Sequence, residues 1–430
     1  MSDIIETRLP TGVKDFLPIK AAKLDYLRGS LSRIFRSWGF RPVAPAVLED
    51  LAVLELGLGA DLREKTFRFD DRQSGRLVAF SPDITPQVAR IAATRMHEMP
   101  LPFRLSYDGR VLRHTEQQLG KDREIYQSGV ELIGLDSAEA DAEMIAMAVQ
   151  CLKDVGASDF TIDIGQVEFL RGVLDDLPLD AVQAQAVRSA IAAKDVSGLR
   201  QALEGSAVSA QQRDELLTLP RLYGGREVIE RARKAISNAK SQRALDNLEQ
   251  VLELLSVFQV DEHITLDLGE LRGFDYHTGV IFQGYLSGYG QAVCAGGRYD
   301  GLMARYGFPA AATGFSFNLY NLLFALDREL DSLVFAGTDI LLAAPAQSKA
   351  SSQKLAMTLR QQGYSVVCSG LERDPEGHLD YAKRMHFRYL LTVQQDDALT
   401  LLDIASGEQT SLTREMIEAE GFEIPYHLEK

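Results

Sequence analysis

Apolar residues recur at three- and four-residue steps through Leu24, Leu27, Leu31, Ile34, Phe35 and Trp38, which predicts an amphipathic helix over 21–38. Pro18 before it and Gly39 after it act as start and stop signals. In "FRPVAPAVLED" the prolines suit an edge strand or an interface. "TFRFDDRQSGRLVAFSPD" alternates as two strands about a Gln73-Ser74-Gly75 turn, and "TPQVARIAATRMHE" reads as a helix opened by Pro86. A second strand pair, "PFRLSYDGRVLRH" and "REIYQSGVELIGL", flanks the polar loop "TEQQLGKD". Arg113 then closes one strand, while Gln127, Gly129 and Glu131 share one face of its return and look into one cavity.

Helical spacing over 137–155 precedes the strand "FTIDIG", and an Ala-, Gln- and Leu-rich stretch over about 179–260, broken near "LPRLYGG", reads as an inserted helical module. Strand patterns return at "HITLDLG", "GVIFQGYL" and "QAVCAGG", and "TGFSFNLYNLLFALDRE" runs from strand into helix. Beyond Ala336-Gly337 strands alternate with helices, the pattern of a small, largely parallel sheet. The expected fold is α+β: an antiparallel sheet with flanking helices and a helical insert over 1–336, followed by an α/β domain over 337–430.

Length supports this division, because 430 residues exceed the roughly 250–300 that one core sustains. The 46% hydrophobic and 25% charged composition is that of a globular chain, and no apolar run suits a membrane span. The first residues carry no export or transit pattern, so the cytoplasm is the expected compartment. Cys151, Cys294 and Cys368 form no CxxC pair, and the seven histidines show no HExxH, so neither a metal nor a cofactor is expected. A net charge of -15 argues against extended nucleic-acid contacts, although a local basic face fits within an acidic total.

Four clusters carry candidate chemistry. "AGGRYDGL" suits either a backbone that approaches a ligand closely or a tight turn with an ion pair, and it matches neither phosphate-loop nor dinucleotide patterns. Arg272, Asp275, Tyr276 and His277 suit a polar pocket floor or a strand-end ion pair, and Asp83 and Thr85 suit a ligand or a helix cap. Gln127 and Glu131 stand in an apolar strand, where a buried carboxylate needs a partner such as a cationic ligand.

Taken in order, these segments resemble histidyl-tRNA synthetase, a class II synthetase, from about residue 11 to 326 and more faintly beyond. "LRGFDYHTG" and "AGGRYDGL" are similar to its two histidine signatures, "PAVLE" to dimer-forming motif 1, "RVLRHTEQQLGKDREIYQSGVELIG" to motif 2, and "TGFSFNLYNLLFAL" to motif 3. The resemblance implies that Asp83, Thr85, Gln127, Glu131, Tyr276 and His277 surround a bound histidine, with Asp83 replacing a glutamate and His277 a tyrosine. Arg113 falls at the motif 2 arginine, and Arg272 at the arginine that stabilises charge during adenylate formation.

The ATP side departs from that pattern. Asn321 replaces the arginine that clamps the triphosphate, Tyr320 stands where an acid is expected, and Glu116 stands where motif 2 has an arginine. Removing one charge-stabilising donor can cost about 100- to 1000-fold, so these changes should disable adenylation and leave no catalytic residue. The combination resembles the synthetase paralogues that regulate ATP phosphoribosyltransferase. That resemblance implies a short-form catalytic subunit as partner, histidine as feedback effector, and a homodimeric core within a hetero-oligomer. The C-terminal domain resembles an anticodon-binding domain, but nine Lys and Arg against fourteen Asp and Glu over 338–430 give tRNA a poor face, and tRNA is not expected as a partner. Two alternatives stand beside this reading: a working ligase with Lys121, Arg123 or Arg305 as substitute cations, and a lone histidine sensor.

Overall fold

The computed structural model describes residues 8–114, 122–175, 177–274, 276–371, 373–394, 398–419 and 422–424. Two compact units divide it, one formed by residues up to Phe16 with Lys23–Leu333, the other by Leu17–Ala22 and the chain from Val334 onward.

The first unit is organised by a nine-stranded sheet. Its chain carries β1 (Arg41–Pro42), β2 (Leu48–Asp50), β3 (Arg68–Asp70), β4 (Leu77–Phe80), β5 (Phe103–Leu112), β6 (Glu124–Ile133), β7 (Phe160–Gln166), β8 (Tyr223–Gly224), β9 (Ile264–Asp267), β10 (Val280–Leu286), β11 (Cys294–Arg298) and β12 (Ala312–Asn318). The large sheet runs β1-β5-β6-β12-β11-β10-β7-β9-β8, while β2-β4-β3 form a small sheet beside it. Among the described residues of this unit only β1–β5 and β7–β9 pair in parallel. Proline explains the brevity of β1, which holds an outer edge where a missing N–H is harmless.

Helix Pro18–Ser37 starts at the proline expected to precede it, and Leu27, Leu31, Ile34 and Phe35 of its predicted face are buried. Helix Ala138–Asp154, capped by Ser137, places Met144, Ile145, Met147 and Leu152 in the core. Five helices, Ala181–Ala192, Val196–Ala202, Ala210–Thr218, Glu227–Ala235 and Ala239–Val257, build the inserted module. The expected break at "LPRLYGG" is a short 3-10 turn followed by β8, which pairs with β9 and so anchors the module to the sheet.

The second unit contains β13 (Thr338–Ala343), β14 (Val366–Cys368), β15 (Phe387–Val393), β16 (Leu399–Asp403) and β17 (Gln409–Leu412), ordered β14-β13-β15-β16-β17. A largely parallel sheet is realised only in its first three strands, since β15-β16-β17 are antiparallel. The β16–β17 reversal is tight, with Asp403 Oδ1 accepting from the amides of Ala405 and Ser406 at 2.9 and 3.0 Å. Gly407 completes it at a φ of 76°.

Candidate functional site

Three central strands set the geometry. Antiparallel register places Gln127 opposite Asn318, Gly129 opposite Ser316 and Glu131 opposite Gly314, with Leu105 and Tyr107 of β5 flanking Glu131 and Gly129 on the other side. Gln127 and Glu131 share the face that the two-residue period predicts, and both line a cavity of about 710 Å³. Asp83, Thr85, Arg113, Arg272, Tyr276 and His277 line it too, so all eight residues singled out from the sequence meet in one place. Gly129 does not line it. A side chain there would meet the Tyr107 hydroxyl and the Phe315 carbonyl, so its missing Cβ makes room for Tyr107.

Glu131 is the deepest group, with 1% exposure. Its Oε1 accepts from Thr85 Oγ1 at 2.7 Å and from the Tyr107 hydroxyl at 3.1 Å, and its Oε2 accepts from the Tyr299 hydroxyl. Gly314 is required here, because a Cβ would collide with Oε2 itself. Burial raises the Glu131 pKa to about 8, and nearby Asp83 adds to the rise against the three hydroxyl donors. No Lys, Arg or His among the described residues forms an ion pair with it, so at neutral pH the carboxyl is mainly protonated.

Near the cavity mouth, Gln127 Nε2 donates to Asp83 Oδ1 at 2.9 Å while its Oε1 accepts from the Ile84 amide at 3.0 Å. That clamp fixes the turn ahead of helix Thr85–Arg95 and leaves Thr85 facing Glu131 rather than capping its own helix. Arg113 Nε donates to the Pro82 carbonyl at 2.7 Å, which leaves both terminal nitrogens without a protein partner among the described residues. An aspartate and an arginine thus stand on one rim.

The opposite wall is aromatic. Tyr276 stacks on Tyr299 at 5.5 Å and meets His277 edge-on at 5.0 Å, and its buried hydroxyl has no hydrogen-bond partner. Burial lowers the His277 pKa to about 4, so its ring is neutral at physiological pH. His277 Nδ1 lies 3.1 Å from the Arg298 carbonyl. A carbonyl only accepts, so Nδ1 carries the proton and Nε2 is an acceptor. Arg272 is the most open member, its side chain 64% exposed. Its Nη1 donates to Gln283 Oε1 at 2.5 Å and to the Tyr285 hydroxyl at 2.6 Å, with Glu270 3.9 Å from Nε.

"AGGRYDGL" divides its two candidate roles among its residues. Arg298 is structural: buried, it donates to Asp141 Oδ2 at 3.0 Å, Asp300 Oδ1 at 3.1 Å and the Leu135 and Ser137 carbonyls at 3.1 and 3.2 Å. Tyr299, between the two charges, enters the site through Glu131, a role its sequence position did not disclose. Helix Ala181–Ala192 of the insert also supplies Gln185, Arg188, Ser189 and Ala192 to the cavity wall, and the i, i+3, i+4, i+7 spacing was the available signal. Arg188 and Arg171 approach the Phe274 ring at 5.5 and 5.2 Å.

On the side opposite the carboxyl pocket, Asn321 lines the cavity with its amide already engaged, Nδ2 to the Ala292 carbonyl at 2.8 Å and Oδ1 to the Tyr289 hydroxyl at 3.2 Å. Tyr320 is buried, its ring 4.8 Å from Phe16 and its hydroxyl donating to Glu124 at 2.6 Å. Neither Arg123 nor Arg305 lines the cavity. Glu116 and Lys121 lie outside the described residues, as does Asp275. Among the described residues no group of three or more His, Cys, Asp or Glu could hold a metal ion, and no helix is long and apolar enough to cross a membrane.

A family model for histidyl-tRNA synthetase matches residues 12–322. A Syntrophotalea carbinolica protein named ATP phosphoribosyltransferase regulatory subunit is 57% identical over 97% of this chain and 98% of its own. Its namesake from Geobacter sulfurreducens is 48% identical over 98% and 97%. Among solved structures, an ATP phosphoribosyltransferase regulatory subunit/histidyl-tRNA synthetase from Bacillus halodurans aligns at a TM-score of 0.80 and 28% identity, covering 91% of this chain and 99% of that one. Histidyl-tRNA synthetase from Nostoc aligns at 0.81 and 22% over 96% and 98%, which speaks for the fold.

Proposed function

The chain belongs to the ATP phosphoribosyltransferase regulatory subunits, a family built on the histidyl-tRNA synthetase fold, and on that premise we propose that it binds histidine without activating it. In this reading a short-form catalytic subunit in the cytoplasm needs the chain for activity, and histidine inhibits the assembly through it. Its core is a homodimer within a larger hetero-oligomer. The synthetase-like domain, residues 1–336, carries the pocket, while residues 337–430 are a retained domain without an RNA role.

The observation that carries the proposal is the contrast between the two ends of the cavity. At one end Asp83, Gln127, Thr85 and Glu131 form a connected polar set beside Arg113, a layout that suits a zwitterion bearing a polar ring. At the other, where adenylation needs a cation on the triphosphate, Asn321 offers a neutral amide already bonded to protein. A bidentate guanidinium contact has no amide substitute, and a reaction that develops charge depends heavily on a cation already in place to meet it. Arg272, held by Gln283 and Tyr285, then shapes the pocket and performs no chemistry.

Formation of phosphoribosyl-ATP by a purified short-form catalytic subunit tests the proposal. Strong stimulation on adding this protein, reversed by histidine, is the expected outcome, together with no histidine-dependent exchange of pyrophosphate into ATP. Such exchange would identify a working ligase, and histidine binding without stimulation would identify a lone sensor.

A further inference from the structure

The loop that carries Tyr276 and His277 moves as one body. It consists of consecutive turns, in which the Phe274 amide donates to the Leu271 carbonyl at 3.1 Å and the Tyr276 and His277 amides share the Gly273 carbonyl at 2.9 and 2.8 Å. Gly273 stands at a φ of 69°, and a Cβ on it would strike the His277 ring, so the turn and that ring are packed together. A displacement of Phe274 is therefore passed on to both residues of the pocket wall.

Two arginines converge on Phe274, and they are held in unequal ways. Arg171, on helix Val167–Leu174, donates through Nη2 to the Phe274 carbonyl at 2.6 Å and brings its guanidinium 5.2 Å from the ring. Its Nη1 donates to Glu168 at 2.7 Å, and Glu168 is paired in turn with Lys240 at 3.2 Å, so this tie is locked. Arg188, on helix Ala181–Ala192 of the inserted module, lies 5.5 Å from the same ring. It has no ion pair or hydrogen bond among the described residues, which leaves the aromatic face as the partner of its charge. The opposite face of its helix, Val187, Ala190 and Ile191, is buried, so Arg188 cannot shift far unless the helix shifts with it.

Resting on the reading of histidine as the ligand, we propose that Arg188 and Phe274 form a latch between the inserted module and the loop of Tyr276 and His277. They are positioning residues: they act on the ligand through the loop, by fixing how the module stands against it. A guanidinium over an aromatic face is attracted by the ring quadrupole, and the attraction grows as water is excluded. With the latch closed, the loop and the module are already in place when the ligand arrives. With either partner removed, binding itself must order them, and affinity falls by about 3- to 30-fold, the worth of one such contact. The effect belongs to the pair, so removing the second partner after the first costs nothing more.

Calorimetry of L-histidine binding to the full chain tests this in wild type, Arg188→Gln, Phe274→Leu and the double variant. Each single variant should lose about 3- to 30-fold in affinity, the double variant no more than the weaker-binding single, and Phe274→Tyr, which keeps the ring, should stay within about twofold of wild type. Losses that multiply in the double variant would overturn the latch. So would a loss confined to Arg188→Gln, which would make Arg188 a direct contact of the ligand. A second readout needs no ligand: backbone amide exchange over residues 271–278 should quicken in Arg188→Gln, although the substitution lies on a different element. Unchanged exchange there would overturn the latch by itself. If wild type binds no histidine, the reading of the ligand falls, and the exchange measurement still decides the latch.

Discussion

A carboxyl group sealed under a strand has to be paired or neutral, and Glu131 of the ligand-free chain is mainly neutral. Its pKa near about 8 lies above the ~4.3 of an exposed glutamate, so between those values the folded state holds more protons than the unfolded. Stability contributed by this residue is therefore fullest below pH ~4.3 and is lost as pH rises toward 8, to a total of roughly 5 kcal/mol. Glu131→Gln removes the dependence: urea midpoints should match wild type near pH 4.5, and the variant should be more stable by roughly 4 kcal/mol at pH 8.5. His277 acts in the opposite sense, its pKa lowered by burial to about 4, so its contribution is lost as pH falls through the range 6.5 to 4 in both proteins and cancels in the comparison. A wild type more stable than the variant at pH 8.5 would mean that the ligand-free site holds an ionised carboxylate. The natural site therefore bears a destabilising acid at working pH, which is expected where the group serves a ligand.

At the scale of elements, the pocket is a product of register. Glu131 fits because β12 sets Gly314 directly opposite, and Gly314→Ala would drive a methyl group into Oε2 and the Val130 carbonyl. Since one of those obstacles is backbone, the strand must shift, at a cost of about 3 kcal/mol. The variant should unfold at lower urea and lose histidine affinity at least tenfold, whereas a substitution at solvent-open Gly288 should leave the affinity unchanged. The alternation of "REIYQSGVELIGL" was enough to place Gln127 and Glu131 on one face, because strand periodicity is local. The glycine opposite them was not legible, because cross-strand register is settled by pairing across nearly 200 residues of intervening chain. The same reason hid Tyr299 and the wall provided by helix Ala181–Ala192. β17 escaped for a different reason: "QTSL" is short and mostly exposed, and it becomes a strand only because β16 offers it an edge.

At the scale of the whole molecule, the regulation proposed above is a coupling free energy between histidine and the catalytic partner, and such a coupling is reciprocal. Suppose histidine weakens or redirects the active assembly by some factor. The assembled catalytic subunit must then change the chain's affinity for histidine by the same factor, typically about 5- to 150-fold. A ligand that bound both states equally would leave activity untouched however tightly it bound. The cavity provides a source of unequal binding. One wall belongs to the inserted module through Gln185, Arg188 and Ser189, and the other to the central sheet, so a change in their separation alters the site directly. The measurement is a closed cycle: the dissociation constant of histidine for the chain alone and for the complex, and that of the catalytic subunit for the chain with and without saturating histidine. Equal ratios above about fivefold are expected. Ratios of one on both sides of the cycle, in an assembly that histidine still inhibits, would place the regulatory site on the catalytic subunit and reduce this cavity to an inherited one.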